Sequence, residues 1–148
     1  MEGGAGRFAV GVDSIDALHV ECEATIAQVA SAVESGGDAT TALAGLHDHL
    51  ERHFRHEESL MSASDFPPAG CHQREHASVL EVVAEVRRRY AGGEHDPAAR
   101  LADALFEWLE LHAGSMDAAL AQWLNTATEA SRTQEARTQE ARTQQSVA

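Results

Sequence analysis

His53-Phe54-Arg55-His56-Glu57-Glu58-Ser59-Leu60-Met61 sets a histidine and a glutamate, His53 and Glu57, four residues apart. On a helix, positions i and i+4 lie one above the other. Leu43, Leu46, Leu50, His53, Glu57 and Leu60 therefore fall on one seam, the stripe along which a helix buries its side chains. A buried carboxylate without a partner neutralises or costs several kcal/mol, so this seam implies partners on other segments.

Those segments are present. Working outward, the seam of the preceding segment reads His19, Cys22, Ile26, Val29 and Val33. The segment after reads His72, His76, Val79, Val83, Val86 and Tyr90, and the last reads Leu101, Leu105, Trp108, His112, Met116, Ala119 and Trp123. Punctuation separates them: Gly36-Gly37, Asp65-Phe66-Pro67-Pro68 and Gly92-Gly93 end segments, while Asp38 and Asp96-Pro97 open them. The spacing predicts helices over about 14–35, 39–62, 69–91 and 97–124. Connections this short favour antiparallel neighbours, hence an all-α, up-down-up-down four-helix bundle. Residues 1–125 form the expected domain. From 126 to 148 the chain turns polar and repeats Arg-Thr-Gln-Glu-Ala at 132–136 and 137–141, which predicts a solvated helical extension or a disordered tail.

A lone histidine on an apolar face is ordinarily a hydrogen-bonded core residue. Here every predicted helix carries at least one titratable seam residue: His19, His53 and Glu57, His72 and His76, His112 with Asp117. Metal removes the burial penalty of the whole set, and five histidines with two carboxylates suggest two ions. His112 and Asp117 are five apart, about 140° round a regular helix, and Gly114 between them allows a local distortion. Imidazole and carboxylate without thiolate suit iron, zinc or manganese. A structural zinc takes four ligands and leaves some of these unused, and iron is the metal of the three that binds oxygen.

The strings Ile15-Asp16-Ala17-Leu18-His19, HFRHEESLM (53–61), HQREH (72–76) and WLELHAGSMD (108–117) resemble the hemerythrin family in its bacterial single-domain form, over about residues 8–124. Myohemerythrin is a known up-down bundle, so the topology comes with the resemblance as well. The resemblance implies a non-haem di-iron centre with an oxo or hydroxo group between the irons. One iron takes His72, His76 and His112; the other takes His19 and His53 and keeps an open position; Glu57 and Asp117 bridge both. It implies reversible dioxygen binding for storage, transport or delivery, with no haem, and Phe54, Trp108, Leu109 and Ala113 as walls of the oxygen pocket. Small anions or peroxide are further ligands of such a site. An oxygen or redox sensor and a peroxide-consuming enzyme are the alternatives; the binding protein is preferred over the enzyme. Three residues depart from the family's habit: Ala113 replaces a bulky aliphatic, Leu18 a glutamine and Leu120 an aromatic. All three are expected to bear on pocket shape or on support of the ligands, and Ala113 is expected to admit water or anions and hasten autoxidation.

Competing readings explain less. HQREH also fits the H-x-x-E-H string of inverted zinc peptidases, with Glu75 activating water, but it leaves the other five titratable seam residues idle. A ferritin-like centre needs Glu-x-x-His pairs, and no glutamate stands three residues before a histidine. A structural bundle must satisfy the whole set by hydrogen bonds alone. The remaining histidines read as bystanders: His47 and His95 solvated, His49 and His56 partly exposed on the bundle flank, with support of the metal ligands as the alternative for these two, which lie one turn either side of His53. Cys22 and Cys71 read as small buried fillers, with a redox pair as the alternative. A net charge of −13 argues against nucleic acid or an anionic membrane as partner. With no apolar leader and no spanning stretch, a cytoplasmic protein is expected.

Overall fold

The structure, a computed structural model, describes residues 6–147; the first five residues and Ala148 of the expected domain and tail lie outside it. Four helices come in order: α1 (Asp13–Glu34), α2 (Thr40–Ala63), α3 (Ala69–Ala91) and α4 (Asp96–His112). A π turn (Ala113–Asp117) then joins α4 without a break to α5 (Ala118–Val147). α1 packs on α2, α2 on α3, α3 on α4 and α4 back on α1, which closes the antiparallel four-helix ring. The described residues contain no strand, and no helix among them is long and apolar enough to cross a membrane.

Glycine ends α1 and α3 as the sequence predicts. Gly36 and Gly93 adopt φ of 71° and 98°, a left-handed conformation that only glycine takes without strain. Asp38 sits one residue outside the α2 cap, where its Oδ1 accepts the Thr40 N–H at 2.9 Å and the Thr40 hydroxyl at 2.6 Å. Asp96 is the first residue of α4 rather than its cap.

The core has two apolar blocks. The larger includes Ile26, Val29, Leu43, Leu46, Leu50, Val83 and Leu101; the smaller is Ile15, Met61, Phe66 and Leu120. On α1, α2 and the α4–α5 rod, the titratable seam residues fall in sequence between these blocks. The polar cluster is thereby sealed at both ends by side chains that each contribute ~1.5–3 kcal/mol on burial.

The expected seam of the last helix fails after His112. Ala119 and Trp123 are exposed, while Leu120 and Ala121 are buried. The π turn is the cause: it inserts one residue into the α repeat, so each later inward position moves on by one. Leu120 lies in the smaller core block. Trp123 instead lies across the loop after α2, its Nε1–H donating to the Ser64 carbonyl at 3.1 Å.

Beyond Leu124, α5 leaves the bundle. Residues 125–146 are exposed, and the hydroxyls of Thr128, Thr133, Thr138 and Thr143 each donate to the carbonyl four residues back at 2.9–3.0 Å. The five-residue repeat thus places one threonine per repeat in the same local bond.

Candidate metal centre

All seven titratable seam residues converge between the helices, each at most 4% exposed. His72 and His76 come from α3, His112 from the end of α4, and their Nε2 atoms meet: His112 Nε2 lies 3.0 Å from His72 Nε2 and 3.3 Å from His76 Nε2. His19 of α1 and His53 of α2 form the opposite end. The two carboxylates lie between. Glu57 sets Oε1 at 3.4 and 3.2 Å from His72 and His76, and Oε2 at 2.7 Å from His53 Nε2. Asp117 sets Oδ1 at 2.9 and 3.1 Å from His72 and His112, and Oδ2 at 2.9 Å from His19 Nε2. Each carboxylate thus offers one oxygen to each end.

The donor chemistry fits cations. Three imidazole nitrogens facing one another need protons or metal between them. Glu57 Oε1 and Asp117 Oδ1 are close to these nitrogens in distance but make no aligned hydrogen bond, and the Nδ1 atoms of His72, His76 and His112 are also unpartnered. Buried polar atoms left in this condition cost ~2–7 kcal/mol each. Three donor groups lie within metal-ligating reach: Glu57, His72, His76, His112 and Asp117; His19, His53, Glu57 and Asp117; and Cys22, His49 and His53, which alone lacks a carboxylate.

The protonation pattern shows the same demand for positive charge. Burial disfavours a charged His19, yet Asp117 and Glu57 outweigh it and raise its pKa to about 10. The same opposition raises His72 to about 9. Burial works against ionised Asp117, but His112, His19 and His72 lower it to about 2. Glu57 is held well below the usual carboxylate range by His19, His53, His72 and His76 despite its burial.

Three supporting groups escape the sequence pattern. The His19 Nδ1–H donates to the Phe8 carbonyl at 2.8 Å, which turns Nε2 inward. Phe8 lies on the arm before α1, where no periodicity marks it. Buried Asp16 holds that arm, its carboxylate accepting the Val10 N–H at 2.6 Å and the Gly11 N–H at 3.2 Å. The third is His49, which is fully buried rather than a partly exposed bystander. Its Nε2 lies 3.1 Å from His53 Nδ1, and burial, reinforced by His53, lowers its pKa to about 4. Its i,i+4 relation to His53 was the available signal.

The expected pocket residues touch both ends: Phe54 lies 5.5 Å from the His53 ring, and Ala113 borders Phe8, whose carbonyl holds His19. Phe54 stacks on His76 at 3.9 Å and meets Trp108 edge-on at 5.8 Å. Trp108 stacks on His112 at 4.3 Å, and its Nε1–H donates to Glu75 Oε1 at 2.8 Å. Glu75 is thus engaged on the flank and absent from all three donor groups, which removes the zinc-peptidase arrangement. Leu109 and Ala113 are buried in the same core block as Phe54. Ala113 also lines a surface cleft of ≈490 Å³ shared with Arg7, Phe8, Val10 and Glu110.

Outside the site, expectations change at His47 and at Cys71. His47 is half-buried against Glu51 at 2.9 Å rather than solvated. His56 is half-buried and bonds Ser14, while His95 is exposed and stacks on Tyr90. Cys22 is buried, and burial, helped by Glu57, raises its pKa to about 12. Cys71 is exposed and is no core filler, because it lies off the seam that His72 occupies.

Residues 10–124 match the family model described as the hemerythrin HHE cation binding domain. The chain belongs to the hemerythrin family. It is 39% identical over 115 residues to a bacteriohemerythrin of Ralstonia nicotianae, covering 78% of this chain and 82% of that protein. It is 36% identical over 74 residues to a bacteriohemerythrin of Stenotrophomonas maltophilia, covering 50% of this chain and 48% of the relative. No solved structure matches the chain. For this hemerythrin-family chain, the buried cluster of histidine and carboxylate fits a metal site.

Proposed function

We propose that the chain holds two iron ions without haem and binds dioxygen reversibly, for storage, transport or delivery. The observation that carries this reading is the division of the cluster: two carboxylates shared between an end with three histidines and an end with two. In this reading His72, His76 and His112 hold one ion, His19 and His53 hold the other, and Glu57 and Asp117 span them. Fewer protein donors at the two-histidine end leave room there for a small ligand, dioxygen first and small anions or peroxide in competition. Bound iron supplies the electron chemistry that dioxygen requires. The protein's part is to orient and to shield. The Phe8 carbonyl fixes the His19 ring, and Phe54 and Trp108 brace His76 and His112 by stacking. Phe54, Leu109 and Ala113 keep the surroundings apolar and nearly dry.

The test is anaerobic loading with ferrous iron, metal analysis, and optical spectra through cycles of oxygenation and degassing. Two irons per chain and spectra that return on degassing support the proposal. One zinc per chain after purification, or iron that oxidises at once without a reversible phase, would sink it. Rapid turnover of added peroxide with a reductant would move the protein to the enzyme class.

A further inference from the structure

His49 lies outside both carboxylate-bearing donor sets of the centre and falls in a third buried group with Cys22 and His53. It belongs to a line of side chains leading from the cluster to the surface of α1 and α2. His53 Nε2 points into the cluster at 2.7 Å from Glu57 Oε2, while His53 Nδ1 lies 3.1 Å from His49 Nε2. The other nitrogen of that ring, His49 Nδ1, is buried without a hydrogen bond, and its facing acceptor is Glu21 Oε2 at 3.7 Å. Glu21 is half exposed and is held by Arg52, whose Nη2 donates to Oε1 at 3.0 Å.

From this geometry we infer that His49 is a positioning residue for the two-histidine end of the centre, accepting the His53 Nδ1–H and so presenting the His53 Nε2 lone pair to a metal ion. The chemistry is determined by hydrogen counting. An imidazole that gives Nε2 to a metal carries its proton on Nδ1, and that proton needs an acceptor. On a helix the side chain four residues back lies on the same face, and here it is an imidazole, whose Nε2 stands 3.1 Å from His53 Nδ1. His49 can accept through Nε2 only with its own proton on Nδ1, which faces the Glu21 carboxylate. Glu21 therefore selects the His49 tautomer, and His49 selects that of His53. At the other end the Nδ1 atoms of His72 and His112 have no hydrogen-bond partner, and that of His76 faces the Glu58 carboxylate directly at 3.7 Å, with no imidazole between.

This inference rests on the proposed two-ion reading and is tested by metal retention rather than oxygen binding. Wild type, His49→Leu, His49→Gln and Glu21→Gln are loaded anaerobically with ferrous iron and then challenged with graded chelator. Loss of such supporting groups typically weakens metal binding roughly 10–100-fold. His49→Leu should weaken one ion by that factor and leave the other near wild type. His49→Gln, whose side-chain amide can place an acceptor near the Nε2 position, should restore most of the loss. Glu21→Gln, a surface change with no folding risk, should show a smaller loss in the same ion. Nitrogen-15 spectra of the zinc-loaded protein should show His49 protonated at Nδ1 and bare at Nε2. Equal retention of both ions in His49→Leu, or equal loss of both, overturns the positioning role, as does the opposite His49 tautomer. Wild type that binds no iron overturns the parent reading and this one together; wild type with two ions and an indifferent His49→Leu overturns this one alone.

Discussion

The Nε2 atom of His112 lies 3.1 Å from Oδ1 of Asp117, although the two residues stand five apart on one continuous run of helix. A regular α-helix would set them about 140° apart. The π turn between them closes that angle by bonding i to i+5. Inserting a further residue, an alanine after Gly114, should add ~100° of rotation that the single π turn does not absorb, to everything beyond. Asp117 then leaves the cluster and Leu120 leaves the core, the latter alone costing ~1.5–3 kcal/mol. Metal retention should be lost and the melting temperature should fall while far-ultraviolet circular dichroism stays helical. Retention of full metal content by the insertion variant would refute the role of the turn.

Gly114 itself is dispensable as a glycine. It is exposed, has no positive φ, and a Cβ there would meet nothing within 4 Å. Gly114→Ala should therefore leave metal content unchanged and stabilise the protein by ~0.5–1 kcal/mol, as read by chemical denaturation.

The metal-free protein should be most stable near pH 6.5. His19 and His72, raised from 6.5 to about 10 and about 9, contribute stability that is complete below 6.5 and lost as pH rises through those values. His49, lowered to about 4, acts oppositely: its neutral burial becomes a penalty as pH falls from 6.5 toward 4. Asp117, lowered from 3.8 to about 2, contributes stability above 3.8 that is lost as pH falls through about 2. Melting curves with chelator present should thus decline from pH 7 to 10, and the metal-loaded protein should not share that decline. Metal uptake at pH 7 should also release protons, measurable in weak buffer with a dye. A rising metal-free melting temperature between pH 7 and 9 would contradict this protonation pattern.

Asp16→Ala should unfasten the arm before α1. Two backbone N–H groups lose a charged acceptor, a loss worth ~1–3 kcal/mol. The Phe8 carbonyl then no longer holds His19, so metal loss under chelator should quicken. Hydrogen exchange at Val10 and Gly11 reports the arm directly.

Ala113→Ile tests the pocket. Ala113 is buried beside Phe8 yet borders the ≈490 Å³ cleft, so the larger side chain gains room outward. Autoxidation of the oxygenated protein should slow. An unchanged rate would mean that water and anions reach the centre by another route.

Much of this was legible because the bundle obeys its helical period. His53, Glu57, His72 and His76 sit on i,i+4 lines, and their burial follows from the same count that buries Leu50 and Val79. The period fails where hydrogen bonding inserts a residue, so Met116, Ala119 and Trp123 read as inward when Asp117, Leu120 and Ala121 are. No local pattern foretells a five-residue turn. The Phe8 carbonyl was hidden for a different reason: backbone atoms carry no sequence signal. His49 was visible by spacing, but its neighbours Asp48 and Glu51 gave the segment a solvated look that tertiary packing overrides.

Residues 1–125 should fold without the remainder. Truncation after Asn125 should lower helical circular dichroism in proportion to the residues removed, with little change in melting temperature, since residues 126–146 are exposed. A large drop in melting temperature would join the tail to the bundle's stability.

The free part of α5 gives the molecule a shape as well as a surface. From Thr126 to Val147 it extends roughly 33 Å at ~1.5 Å per residue, a spar on an otherwise compact body. Rotation about the long axis is then faster than end-over-end tumbling, and the scattering profile acquires a long-distance shoulder. The sedimentation rate is that of an elongated particle, whatever the metal centre holds.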